Sequence, residues 1–291
     1  MWRRRRTAKG LAVEAPVGYL PPARPAHPRA LRLLANLLIA FGLLALAEVT
    51  VTAVWQDPIT AIYTTLRQES LRGDLAKLAA RGPSAQTAAL LAVTNSTKER
   101  IALLASELEG RLPAGAAAGE IAIPAIGIRF ALVNGTGEAE LASGPGIYST
   151  SEYPGSRFPG AGSLTAIAGH RTTFLAPFRH IDSLRPGDPI FIAMPYGRFE
   201  YVVVGRRTVP PEDVAAATAP PAGVNLVLSS CNPPFSAAER ILVYAHLRSV
   251  TPRGQALAFQ RSLAARQAPA SPLGRLLGLP PAAPASPAFP S

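Results

Sequence analysis

The hydrophobic pattern of the chain changes twice. Residues 33–55, LLANLLIAFGLLALAEVTVTAVW, are apolar without a period and contain no Lys or Arg; Asn36 and Glu48 are the strongly polar interruptions. At ~1.5 Å rise per residue, about 20 such residues cross a bilayer core, so this stretch predicts a transmembrane helix. From Asp57 the period becomes helical. Asp57 suits a helix cap and Pro58 a first turn, and Ile59, Ile62, Tyr63 and Leu66 recur on one face. RGPS at 81–84 breaks this helix. A second helical stretch, with Ile101, Leu104 and Leu108 on one face, runs to about Glu109. Residues 56–112 are therefore expected to form a two-helix stalk, followed by the linker LPAGAAAGE.

From residue 120 the runs become short and β-like. IAIPAIGIRFALVNGTG, LTAIAGH, PIFIAMPYGRFEYVVVGRRTV, VNLVLSS and ILVYAHL are separated by Gly, Pro and Asn. Turns are expected at Asn134-Gly135 and Tyr196-Gly197, and brief helical pieces near 139–142 and 173–184. Many short strands over 113–250 predict a mainly β domain, a closed barrel with short helices. After Val250 the sequence becomes rich in Pro and Ala, and 251–291 reads as a disordered tail.

Charge refines this picture. The formal net charge is +11, but residues 1–32 hold eight Arg or Lys against one acid, and 248–291 hold five Arg and no acid. The rest of the chain is close to neutral, which argues against a nucleic-acid-binding core. The basic leader, 1–32, is expected to be disordered and cytoplasmic. Arginines ahead of the apolar span then place the barrel outside, on a single-pass anchor. The small-x-small ALA at 45–47 offers the alternative of signal-peptide cleavage, but the leader is long and the apolar run continues past it.

The chain has one cysteine, Cys231, which excludes an internal disulfide and a thiolate-rich metal site. There is no zinc spacing, no phosphate-cradling glycine loop and no G-x-S-x-G elbow. No metal and no cofactor are expected. Cys231 ends the apolar run LVLSSC ahead of a proline-containing loop. A thiol becomes a nucleophile beside a base. His27 lies before the apolar span, His246 inside a strand, and His180 on a turn or short helix. His170 instead ends the run LTAIAGH, behind the small Ala168 and Gly169. Arg240 stands nine residues after Cys231, where the next strand begins. Beside a thiolate it can donate to a developing oxyanion. Cys231, His170 and Arg240 form a candidate acyl-transfer set.

AIAGHRTTFLAPFRHIDSLRPGDPIFI (166–192) and LVLSSCNPPFSAAERILVYAHL (226–247) resemble the two defining blocks of sortases, the membrane-anchored cysteine transpeptidases of bacteria. GPGIY (144–148), IPAIGI (123–128) and WQDPITAIYTTL (55–66) are most similar to the actinobacterial class E branch. The resemblance covers about residues 55–250. It implies Cys231 as nucleophile, His170 as general acid/base and Arg240 as binder of the substrate backbone and oxyanion. The family often has Thr-Leu-x-Thr before the cysteine, where this chain has Val227-Leu228-Ser229-Ser230. Ser230 keeps a hydroxyl, Val227 loses one, and Val227, Ser229 and Ser230 are expected to contact substrate.

The resemblance implies cleavage of a C-terminal Leu-Pro/Ala-x-Thr-Gly-type signal on secreted proteins, between Thr and Gly, and acyl transfer to a cell-wall amine of peptidoglycan. Two alternatives stay open: a pilus polymerase using a pilin lysine, and a non-enzymatic anchored β domain. The topology is directly testable. External protease on intact spheroplasts should remove the barrel and spare the N-terminus; release of a soluble chain beginning near Glu48 would establish cleavage instead.

Overall fold

The computed structural model describes residues 28–54, 58–213 and 221–258. The expectations for 1–27, for Trp55 and Asp57, and for the tail beyond 258 lie outside the described residues. Two compact units, Met1–Thr50 and Val51–Ser291, divide the chain. Helix α1, Pro28–Val54, carries a 22-residue segment, Arg29–Thr50, with a mean hydropathy of 2.1. At ~1.5 Å per residue it is long enough to cross a bilayer core. Leu33, Leu34, Leu37, Phe41 and Leu44 are all exposed, so the helix is apolar all round.

The second unit is built on a closed eight-stranded barrel. Its strands are β1 (Ala117–Ile123), β2 (Ile128–Asn134), β3 (Gly146–Ile147), β4 (Thr165–Ala168), β5 (Pro189–Met194), β6 (Gly197–Val209), β7 (Leu226–Asn232) and β8 (Glu239–Pro252). The order around the barrel is β1-β2-β3-β4-β7-β8-β6-β5. The β2–β3 and β4–β7 pairs are parallel and the others antiparallel. The run IAIPAIGIRFALVN makes two strands. Pro124 opens a 3-10 turn and Gly127, at φ 66°, closes it in the left-handed region that glycine tolerates.

Strand alternation sorts the side chains. Ile121, Ile123, Leu132, Ile167, Ile192, Leu226, Leu228 and Val243 fill the main core and are fully buried. Ala166, Val227, Leu242 and Tyr244 form a second cluster with Tyr153, Leu164 and Val209, on the opposite face of β4, β7 and β8. The chain between β3 and β4 is pinned to this region by Ser156, whose Oγ donates to Tyr148 O at 2.9 Å and accepts from Ala166 N at 3.0 Å.

Helices α2 (Pro58–Ala80), α3 (Ala85–Val93) and α4 (Thr97–Arg111) depart from the expected stalk. The second helical stretch is two helices, because Ser96 caps α4 and the buried Arg100 donates to the carbonyls of Thr94 and Asn95, just past the end of α3. Ile101, Leu104 and Leu108 of α4 belong to the barrel core, and Leu71 of α2 packs on Ala117, Ala131 and Val133. Polar ties accompany the apolar ones. Gln68, buried in α2, accepts from Ala131 N at 2.7 Å and donates to Ala131 O at 3.1 Å and Ser143 O at 2.8 Å. Glu109 of α4 accepts from Arg157 Nε and from Phe158 N. A short helix, α5 (Glu138–Ser143), lies beneath α2, and Thr64 donates to its Ala142 O at 2.9 Å.

Each of the buried Ile101, Leu104 and Leu108 of α4 contributes roughly 1.5–3 kcal/mol. A 113–258 fragment should therefore lose cooperative thermal unfolding, whereas 58–258 should keep it. In the full chain, Gln68→Ala leaves both polar groups of Ala131 without this partner and should cost about 1–3 kcal/mol in chemical denaturation. Equal stability of the two fragments would show that the helices are dispensable.

Candidate active site

Cys231 is the penultimate residue of β7 and is half-buried, with a free thiol. Its direct antiparallel partner on β8 is Arg240. Directly opposed residues point to the same face, so thiol and guanidinium project together. On the other side of β7 runs β4 in parallel, with Ala168 opposite Ser229. Gly169 N donates to Ser229 O at 3.1 Å, carrying the ladder one step beyond β4. His170 follows immediately. The strand order β4-β7-β8 thus sets His170, Cys231 and Arg240 side by side at one end of neighbouring strands.

Gly169 has a steric reason. A Cβ there would meet the Phe178 ring at 2.6 Å, and Phe178 is fully buried in the core. Only a hydrogen fits, which brings the chain close against Phe178 as it turns out of β4. Phe178 N then donates to His170 O at 3.0 Å. His170 is half-buried; its Nε2 is fully covered and has no hydrogen-bond partner among the described residues. Burial pulls its pKa below the ordinary 6.5, and the carboxylate of Glu138 pushes weakly the other way. This shift favours the neutral imidazole and makes its protonated form a readier proton donor than a free imidazolium.

Arg240 is partly exposed and uses one terminal nitrogen on the carbonyls of Ala237 (3.1 Å), in the β7–β8 loop, and of Glu239 (3.0 Å), the first residue of β8. The anchored fork is thereby oriented. Tyr148, from the segment after β3, lies on the same face. Burial raises its pKa, while the nearby Ser229 hydroxyl and the Arg240 charge oppose that rise.

The three residues expected to contact substrate are all buried. Val227 lies in the cluster covered by Tyr153 and Leu164 and has no exposed surface. Ser230 points to the main-core side with its partner Ile241, and its hydroxyl donates to Gly169 O at 2.8 Å. The two-residue period puts Ser230 on the face away from Cys231, where its hydroxyl ties β7 to the chain leaving β4. Ser229 does share the face of Cys231, but is 2% exposed beneath Tyr148.

Arg171 is a residue that sequence reasoning passed over. Its side chain is 2% exposed. It pairs with Asp182 at 2.9 Å, donates to Arg179 O at 2.9 Å, and reaches Cys231 O and Asn232 Oδ1, each at 3.4 Å. One buried guanidinium thus fastens the loop after His170 to the strand end that carries the thiol. An arginine directly after the histidine was the available signal. Among the described residues no group of three or more His, Cys, Asp or Glu is placed to hold a metal.

Comparison with known proteins identifies a family match. Residues 121–248 match the family model of the sortase domain. The chain is 31% identical over 134 residues to sortase D of Bacillus subtilis, covering 45% of this chain and 63% of that protein. It is 31% identical over 97 residues to sortase SrtE1 of Streptomyces coelicolor, covering 31% of this chain and 28% of that one. The chain thus spans less than two thirds of either curated relative. Among solved structures, sortase E from Streptomyces avermitilis is similar at 28% identity and a TM-score of 0.41, over 50% of this chain and 99% of that one. A strand pattern, a register that unites the three candidate residues and a matching family model lead to one assignment: residues 121–248 of this chain are a sortase domain.

Proposed function

We propose that this domain is a cysteine transpeptidase acting on proteins with a C-terminal Leu-Pro/Ala-x-Thr-Gly-type sorting signal. The observation that carries the reading is the register: Cys231 directly opposes Arg240, and His170 leaves the neighbouring strand β4 beside them. Sortases are cysteine transpeptidases, and the family match covers all three residues.

In the first half-reaction the Cys231 thiol gives its proton to His170 and, as the thiolate, attacks the carbonyl carbon of the signal's Thr. Arg240 donates to the oxygen as it becomes anionic. The C–N bond to Gly then breaks, and His170 gives its proton to the departing amine. The threonyl carbon is left as a thioester on Cys231. In the second half-reaction an amine of the cell wall attacks that thioester. It passes a proton to His170, and the C–S bond breaks to return the thiolate. The low pKa that burial gives His170 suits the donor step, because an imidazolium in that site gives up its proton readily.

The apolar span Arg29–Thr50 fits a single-pass membrane anchor. The basic leader supports a cytoplasmic N-terminus with the barrel outside, where a secreted substrate and a peptidoglycan amine are both present.

Intact-mass spectrometry with a panel of Leu-Pro/Ala-x-Thr-Gly peptides is the direct test. A matched peptide should give an adduct on Cys231, and hydroxylamine should convert the released product from acid to hydroxamate. Cys231→Ala should show no adduct. Arg240→Ala should slow acylation by on the order of 10²–10³, as for other single oxyanion donors. Arg240→Lys should restore only part of the rate, since an ammonium lacks the planar fork. No adduct and no hydroxamate from any peptide would overturn the proposal.

A further inference from the structure

The segment after His170 has an unusual backbone. Phe174, Leu175 and Ala176 have φ of 52°, 61° and 40°, three successive non-glycine residues in the left-handed region. Such a run persists only where its surroundings fix it. Part of that fixing is local: Ala176 N donates to Thr173 O at 2.8 Å, and Arg179 N to Ala176 O at 2.9 Å. Another part comes from outside the barrel. Thr60, in the first turn of α2, accepts from Phe174 N at 3.1 Å through its Oγ1. This bond joins residues 114 apart in sequence.

Phe174 is also the neighbour of the imidazole. Its ring lies against that of His170, with centroids 4.9 Å apart and planes inclined by 35°. On the remaining sides stand the carboxylate of Glu138 on α5 and, by strand register, Cys231 on β7 and Arg240 on β8. Arg171 holds the start of the loop to the Cys231 carbonyl. Nothing else described hydrogen-bonds His170 Nε2. The ring's placement therefore depends on packing, and Phe174 supplies an aromatic face of that packing.

We propose that the first turn of α2 is a positioning element for His170: Thr60 fixes the Phe174 amide, and the Phe174 ring fixes and shields the imidazole. This inference rests on His170 being the acid/base of the proposed reaction. Thr60 and Phe174 are positioning residues, since neither carries a group that moves a proton. A second link follows from the sequence. α2 begins at Pro58, just after the apolar helix, so the helix that follows the membrane span also sets the acid/base.

The experiment uses the full chain in detergent micelles and three readouts: the His170 titration by NMR in a Cys231→Ala background, the steady-state constants with a reactive sorting peptide, and thermal unfolding. In the parent the His170 midpoint should lie below 6.5. Phe174→Ala should let water reach the ring and move the midpoint up towards 6.5, whereas Phe174→Tyr should hold it low. Thr60→Val removes the acceptor at nearly constant volume. It should lower kcat by on the order of ten- to a hundredfold, the scale of a misplaced catalytic group, with little change in KM. Thr60→Ser keeps the acceptor and should keep kcat. Unchanged titration in Phe174→Ala together with unchanged kcat in folded Thr60→Val would overturn the positioning role. Full activity of His170→Ala would instead overturn the acid/base assignment itself, and the titration arm would still report whether Phe174 shields the ring.

Discussion

The parallel pairing of β4 with β7 is the constraint on which the rest of this molecule depends. It brings Ala168 opposite Ser229, residues far apart in sequence, and a single ladder step further places His170 beside the Cys231 strand end. Parallel neighbours cannot be joined by a tight turn. The intervening chain must leave the sheet, build β5 and β6 on the far side, and return. That excursion is what makes room for the His170 loop. The β7–β8 connection is the opposite case: a short loop fixes Cys231 against Arg240 locally. One partner of the thiol is thus set by long-range closure and the other by a hairpin.

Long-range closure needs reinforcement, because β4 has four residues and β3 two. Three side chains supply it. Ser230 and Arg171 tie the β7 end to the chain on either side of His170, one through the Gly169 carbonyl and one through the Cys231 carbonyl. Ser156 ties the covering segment to β4 at Ala166. All three are buried polar groups whose hydrogen bonds are satisfied by backbone, so they fix geometry without introducing an unpaired charge or donor into the core. Arg171 carries a full charge, and Asp182 accompanies it.

What was legible in the sequence divides along the same line. The runs read as β-like reappear as β1, β2 and β4 to β8, whereas β3, with two residues, is too short to leave a pattern. Cys231, His170 and Arg240 could be singled out by residue type and strand-end position, and the resemblance implied their roles, but their adjacency could not be read, since register between distant strands leaves no local trace. The docking of α2–α4 was illegible for a different reason. Gln68, Arg100 and Glu109 look like ordinary helix-surface residues, and their partners are backbone groups of other elements or Arg157. Ser229 and Ser230 mark a signal that was present but unused: counting back by two from Cys231 gives Ser229 and Val227 on its face and Ser230 on the other. The burial of that face under Tyr148 and Tyr153 has no signature within strand β7.

The Gln68 side chain has a consequence beyond stability. β3 covers β2 only at Val133 and Asn134, so the remainder of that β2 edge has no strand beside it among the described residues. An uncovered edge is a template for sheet addition by a second chain. Gln68 occupies both the donor and the acceptor of Ala131 with a carboxamide, which has the hydrogen-bonding groups of a peptide unit but no chain to extend. α2 lies along the same stretch. The capped edge therefore works against strand addition and aggregation between neighbouring copies.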